Sequence, residues 1–389
     1  MPTTPWKRDP VPAVQSPIPS SMRSGRDLAH PLEGIDLRER VAKVLEDHLD
    51  SQRSTLVEVG EPVLALVDEI GALLAGGKRL RAAFLYWGYR AFEGPDTPAL
   101  LRAACAIEIF QAAALLHDDV MDNSDLRRGR PTAHRAFAAA HRNAAWSGSS
   151  SEFGHAAATL AGDMCLNWCD EVFAGSGLPA EQLARARPVF DTMRTQLMAG
   201  QYLDVLTSAQ DWNHLTHEQR IDQCRRVIRF KSAKYSIEQP LLIGAYAVGA
   251  SPHALQALST YGLALGEAFQ LRDDLLGVFG NPDTTGKPAG DDLREGKRTV
   301  LIAFAVHLGN DADRATITAA LGKADLSEAG VHDARQALIN SGAVDHVESM
   351  IADSSNDAAR ALDEAPPGVS DQGRHALSAL IDISTARSA

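Results

Sequence analysis

The chain has 389 residues, 45% hydrophobic and 23% charged, with a formal net charge of −12, the composition of an ordinary globular protein. That charge argues against a general nucleic-acid binder, which needs a basic face, while leaving room for a locally basic pocket. No apolar run is expected to approach the roughly 20 residues of a membrane-spanning helix, Leu241 to Ala250 being among the longest, so no transmembrane segment is predicted.

Residues 1–34 carry Pro5, Pro10, Pro12, Pro17 and Pro19 among serines and arginines. Prolines this dense prevent a packed helix, and the segment has the features of neither a signal peptide nor a transit helix. It reads as a disordered extension. From Leu37 onward, long Ala/Leu-rich stretches punctuated by Gly, Pro and Asn predict helices almost throughout, with few alternating runs for strands. Ala103 to Leu116 is apolar all round and belongs at the centre of a bundle. Trp146 to Gly154, rich in Ser and Gly, predicts a loop between helices. Leu178-Pro179 suits a first helical turn, and Thr216 with Gln219 forms a capping box for a helix carrying Ile221 and Val227. Pro366-Pro367-Gly368 stops one helix before a last one carrying Leu377, Leu380 and Ile381. Nothing between Leu37 and Pro366 reads as an interdomain linker, so residues 35–389 are expected to form one large all-α domain. The four cysteines suit a reducing, cytoplasmic setting. Cys165 and Cys169 can share a helix face, but no second ligand pair lies near them, so they read as buried thiols and not as a zinc site.

The chemistry concentrates in a few short segments. In Leu115-Leu116-His117-Asp118-Asp119-Val120-Met121-Asp122 an apolar helix ends in carboxylates, with Asp118 and Asp122 at i and i+4 on one face. Such a pair repels itself unless a divalent cation sits between it and a phosphate, and oxygen-only donors point to magnesium over zinc. A lone acidic cluster is ordinarily a solvated helix end, but this one has company. Arg127-Arg128-Gly129 follows closely, and Gly76-Gly77-Lys78-Arg79-Leu80-Arg81 precedes it with cations beside a glycine pair suited to a diphosphate. Phe269-Gln270-Leu271-Arg272-Asp273-Asp274 is a second acidic segment, followed by the basic elements Thr285-Gly286-Lys287 and Gly296-Lys297-Arg298. Alternating sign on this scale implies two diphosphate pockets flanking a metal cluster. His117 reads as a packing residue and not as a catalytic base.

Taken together, Gly76 to Thr299 resembles the trans-isoprenyl diphosphate synthases, the polyprenyl synthetases, and most of all the bacterial geranylgeranyl diphosphate synthases, with the motifs in the family's order. The resemblance implies an antiparallel helical bundle around a deep central cavity, usually in a homodimer. It implies that isopentenyl diphosphate is condensed with an allylic diphosphate (dimethylallyl, geranyl or farnesyl), and that magnesium is the cofactor, about three ions per site, with manganese able to substitute. On this likeness Asp118, Asp119, Asp122, Asp273 and Asp274 are the metal-binding residues. Arg127, Lys231, Lys287 and Lys297 hold the allylic diphosphate, and Gln270 lies beside the reacting carbons. Lys78, Arg81 and Arg128 hold isopentenyl diphosphate.

Three positions depart from the family's pattern. Gly277 stands where the second motif usually has a third aspartate, Gln111 where a histidine is often found, and Ser232 where a threonine usually follows Lys231. Metal binding is expected to survive on Asp273 and Asp274, and the Gln111 amide can still donate a hydrogen bond. A terpene cyclase on the same fold is the rival enzyme, but it needs no isopentenyl diphosphate pocket, and Lys78, Arg81 and Arg128 are all present. A catalytically silent subunit is the other alternative; it is expected to have lost the first motif, which is retained here. The resemblance implies that the growing product runs along the helix leading to Asp118. Small Ala114 and Ala113 let the product pass fifteen carbons, and Phe110, about 4.5 Å deeper at ~1.5 Å per residue, is the expected floor for geranylgeranyl diphosphate.

Overall fold

The computed structural model describes residues 30–212, 214–281, 286, 290–364 and 368–386. Most of the proline-rich segment, Thr285, Lys287 and the Pro366-Pro367 pair therefore lie outside the described residues. Pro31 and Leu32 are buried, and Trp87 Nε1 donates to Pro31 O at 2.9 Å.

In chain order the elements are α1 (Leu37–Leu56), a 3-10 turn (Glu61–Val63), α2 (Leu64–Leu74), α3 (Leu80–Arg90) and α4 (Pro98–Met121). A two-stranded hairpin, β1 (Leu126–Arg127) and β2 (Arg130–Pro131), leads to α5 (Ala133–Asn143), α6 (Ser150–Ala174), α7 (Ala180–Ala209) and α8 (His217–Val227). A π-helix (Ile228–Glu238) joins α8 to α9 (Gln239–Val248), followed by α10 (Pro252–Phe279) and the short α11 (Asp291–Glu295). The chain ends in α12 (Val300–Leu308), α13 (Asp311–Ala320), α14 (Glu328–Asn340), α15 (Ala343–Asp363) and α16 (Asp371–Thr385). The fold is all-α, as the sequence predicts.

Local chemistry sets the boundaries. The hydroxyls of Thr97, Ser149, Ser251, Thr299, Ser327 and Ser370 each accept a backbone N–H at a helix start, and Pro98 and Pro252 occupy first turns where no N–H is needed. Thr216 and Gln219 close the expected capping box. Pro179 caps α7 from just outside it. The expected loop from Trp146 to Gly154 is shorter than its composition suggests, because α6 already begins at Ser150. Gly154 serves helix packing: a Cβ there would stand 2.2 Å from His134 O on α5.

The apolar side chains form two clusters, and α10 contributes to both. Leu258, Tyr261 and Leu265 belong to the N-terminal cluster, while Leu271, Leu275 and Val278 belong to the C-terminal one. The seam between them holds the cavity described below. The helix α4 corrects the expectation about apolar runs. It is long and apolar enough to cross a membrane, with mean hydropathy 1.7, but 72% of that window is buried inside the protein. It is the central helix of the bundle.

Candidate active site

A cavity of about 410 Å³ opens between α4, α7, the π-helix, α10 and the segment from Asp291 to Val300. Of the residues singled out in the sequence, Arg81, Gln111, Asp118, Arg127, Arg128, Lys231, Ser232, Gln270, Asp273, Asp274 and Lys297 line it. Leu115, Val227, Ile228 and Phe269 add apolar wall.

Helix geometry brings the acids in. Gln111, Leu115 and Asp118 recur every three to four residues of α4 and share the face toward the cavity. Asp119 is off that face. It is buried and accepts a hydrogen bond from Arg127 Nε at 2.9 Å, so it orients a cation of the cavity wall. Asp122 caps α4, with its Oδ2 3.1 Å from Lys297 Nζ. On α10, Gln270 Nε2 donates to Asp274 Oδ1 at 2.8 Å. Arg272, just before Asp273, turns away to a bidentate pair with Glu348, 2.7 Å on each arm.

The cations fall into two groups. Lys231, Lys297 and Arg127 are tied to carboxylates. Lys231 Nζ lies 3.1 Å from Asp118 Oδ1 and 2.5 Å from Asp204 Oδ2, while Lys297 Nζ lies 2.7 Å from Glu295 Oε2. Burial alone would lower the Lys231 pKa, but Asp118 and Asp204 outweigh it and keep the ammonium charged. Burial would likewise raise the Asp118 carboxyl, but Lys231, Lys297 and Arg127 hold it below the usual range. The backbone around Lys231 is held close to α7, where a Cβ on Gly200 would stand 2.5 Å from Lys231 N. The π-helix puts Lys231, Ser232 and Tyr235 on the cavity side together, consistent with the functional placement of such helices.

Among the described residues, the second group, Arg81 and Arg128, forms no ion pair with a carboxylate. Arg128 sits in the tight hairpin turn at φ 53°, followed by Gly129 at φ 73°, lies against the Gly76-Gly77 pair and donates to Leu73 O at 2.9 Å. Burial, then Arg79 and Arg127, lower its pKa, which marks a concentration of positive charge that an anion relieves. Gly129 N donates to Gly286 O at 2.8 Å, so Gly286 lies against the same hairpin; Lys287 lies outside the described residues. Arg81 donates to Tyr235 Oη at 2.6 Å and Ser236 Oγ at 2.8 Å. Lys78 is exposed beyond the lining, and Arg79 turns inward to buried Glu108.

The chain-length positions are not in the wall. Phe110 and Ala113 are buried in the core, Ala114 packs against it, and Phe110 meets Tyr235 edge-on with ring centroids 6.4 Å apart. It stands behind a residue of the wall. His117 turns to α6, with Nε2 3.2 Å from Thr159 O.

The sequence reading overlooked Gln201 and Asp204 on α7 and the acids of α11. Gln201 Nε2 donates to Asp118 Oδ1 at 2.8 Å. The available signals were a polar pair at i and i+3 in a long helix and the acidic run just before Gly296-Lys297.

The model of the polyprenyl synthetase family matches residues 65–338, well over half of the chain. The chain belongs to the polyprenyl synthetase family. It is 32% identical to a geranylfarnesyl diphosphate synthase of Natronomonas pharaonis over 81% of this chain and 87% of the relative. It is 29% identical to a nonaprenyl diphosphate synthase of Mycobacterium tuberculosis over 95% and 98%. Among solved structures, the crystal structure of geranylgeranyl pyrophosphate synthase from Corynebacterium glutamicum, complexed with isoprenyl diphosphate and magnesium, superposes with a TM-score of 0.85. Identity is 40%, covering 90% of this chain and 98% of that one. This polyprenyl synthetase is a prenyltransferase that elongates trans-prenyl chains from isoprenyl diphosphates, in a family that uses a divalent metal.

The donor set fits such a metal. Among the described residues, no three acidic, histidine or cysteine side chains form a complete cage. Oxygen donors on two separate helices, α4 and α10, suit magnesium, which keeps waters and takes phosphate oxygens as ligands. Burial raises the Asp274 carboxyl well above its usual range. Gln270 opposes the shift, while Asp292, Asp273 and Asp204 add to it. A divalent cation neutralises that concentration of negative charge.

Proposed function

We propose that the enzyme adds isopentenyl diphosphate to an allylic diphosphate (dimethylallyl, geranyl or farnesyl) and releases geranylgeranyl diphosphate as main product. The single observation that carries this reading is the division of the cavity's cations. Arg127, Lys231 and Lys297 stand among carboxylates, and Arg81 and Arg128 stand apart from them. Two diphosphates of different role need two such sites.

Asp118, Asp122, Asp273 and Asp274 would hold magnesium, about three ions with manganese able to replace it, and Asp119 sets Arg127. When bound, the metal neutralises charge on the allylic diphosphate. Arg127, Lys231 and Lys297 take up the negative charge as the carbon–oxygen bond ionises. Leu115, Val227, Ile228 and Phe269 keep water from the allylic carbocation, and Gln270 lies beside it. Arg81, Arg128 and Gln111 hold isopentenyl diphosphate so that its double bond attacks the cation. The proton lost afterwards goes to the released diphosphate.

A twenty-carbon product is supported by the 40% identity to the Corynebacterium enzyme and by Phe110 backing Tyr235. A homodimer is supported by a stripe of exposed apolar side chains on α7, Met198, Tyr202 and Val205, with Leu160 exposed on α6. A cytoplasmic setting is supported by the four buried free thiols.

The test is incubation of purified protein with farnesyl diphosphate, isopentenyl diphosphate and magnesium, followed by chain-length separation of the dephosphorylated alcohols. Geranylgeraniol as main product, lost with a chelator, is the expected outcome. A product of thirty carbons or more overturns the length assignment, and a hydrocarbon from geranylgeranyl diphosphate alone overturns elongation in favour of cyclisation.

A further inference from the structure

Gly277 lies four residues after Asp273 on α10, so a side chain there would project from the same helix face. A Cβ built on Gly277 would stand 1.9 Å from Asp292 Oδ2 and 2.5 Å from Asp292 Cγ, far inside any tolerated contact. The Asp292 carboxylate, arriving from α11, therefore occupies the volume that a residue-277 side chain would fill. Both residues line the cavity beside Asp273 and Asp274.

We propose that Asp292 supplies, from a different element, the third carboxylate that Gly277 withholds from the second acidic motif. The inference rests on the reading of Asp273 and Asp274 as metal-binding residues. Asp292 is held where it is by its own backbone: Lys297 N donates to Asp292 O at 3.0 Å, and Gly322 N donates to Leu293 O at 2.8 Å. The same carboxylate also supports the Lys297 ammonium, which it shares with two other acids. Glu295 and Asp122 stand 2.7 Å and 3.1 Å from the Lys297 ammonium, while Asp292 Oδ1 is 3.6 Å away. The arrangement couples two sequence choices. With Asp292 in this position no side chain fits at 277, and with glycine at 277 the motif on α10 is short of one acid.

The experiment measures Mn²⁺ binding to the full-length protein in the presence of inorganic diphosphate, by the loss of the free Mn²⁺ paramagnetic resonance signal. Asp292→Asn, close to isosteric, should weaken binding roughly tenfold. Gly277→Asp alone should also weaken it, because two carboxylates collide. The exchanged pair, Gly277→Asp with Asp292→Gly, should recover affinity to within about threefold of the parent. Wild-type binding in Asp292→Asn overturns the proposal, as does an exchanged pair no tighter than Asp292→Asn. If Gly277→Asp fails to fold, as judged by circular dichroism, the other two variants still decide. Asp118→Ala is the control: unchanged Mn²⁺ binding there removes the metal reading itself, whatever Asp292 does.

Discussion

The Lys231 ammonium stands 3.1 Å from Asp118 Oδ1, tying the π-helix to the acidic end of α4. Asp204 grips the same ammonium from α7. A cation held by two carboxylates is positioned before substrate arrives, so little reorganisation is left for the ionisation step. Lys231→Ala should lower kcat by roughly 10²–10³. Asp204→Asn should lower it less, about tenfold, because Asp118 still orients the lysine. Steady-state kinetics with both substrates check this, and unchanged kcat in Lys231→Ala would remove the lysine from the reaction.

Arg128 and Arg81 make a different prediction, because among the described residues neither is paired with a carboxylate. Arg128→Ala and Arg81→Ala should each raise KM for isopentenyl diphosphate by about tenfold or more, with a smaller effect on the allylic substrate. Arg81→Lys should rescue only in part, since a lysine lacks the planar guanidinium that lies over the Tyr235 ring, 4.4 Å from its centroid. Equal effects on both substrates would erase the division of roles.

Product length should respond to the ring that backs the cavity wall at Tyr235 and not to every buried residue of α4. Ala113 has no exposed surface, so Ala113→Phe should overpack α4 and lower the melting temperature without a clean shortening of product. Phe110→Ala removes the ring behind Tyr235 and should lengthen the product by one isoprene unit or more. Chromatography of the dephosphorylated products beside thermal unfolding separates the two effects. A shortened product from a fully stable Ala113→Phe would show that Ala113 is part of the wall.

His134 should make stability fall in mild acid. Its Nδ1 lies 3.1 Å from Thr132 Oγ1, whose hydroxyl donates to Ser124 O, so Nδ1 carries the proton and donates. Burial, with Arg135 and His155, pushes its pKa down to about 4. The unfolded chain takes up this proton near pH 6.5, so the stabilisation is complete above that value and is lost as pH falls towards 4. At ~1.36 kcal/mol per pKa unit the loss is at most about 3 kcal/mol. Thermal unfolding of wild type and His134→Asn between these values should show a shallower pH slope in the variant; identical slopes would contradict the assignment.

Much of the candidate site could be read along the chain, because its parts are short and locally encoded. Asp118 and Asp122 share a face by helical spacing alone, and the basic segments announce themselves by composition. The helical character of the domain follows from apolar periodicity and from caps such as Thr216 with Gln219. What the linear pattern could not supply was which neighbour each charged group chooses. Asp119 looks like a metal-binding residue in the sequence, but it lies off the Asp118 face and meets Arg127. Arg79 and Arg81 are two residues apart, yet one is drawn inward by Glu108 and the other crosses to the π-helix. The roles of Asp204 and Asp292 rest on contacts between residues far apart in sequence, set by the close approach of α7 to the π-helix and of α11 to α10. Chain periodicity encodes which face a residue occupies. The partner across that face is chosen only when helices pack and a buried charge must find its counter-charge.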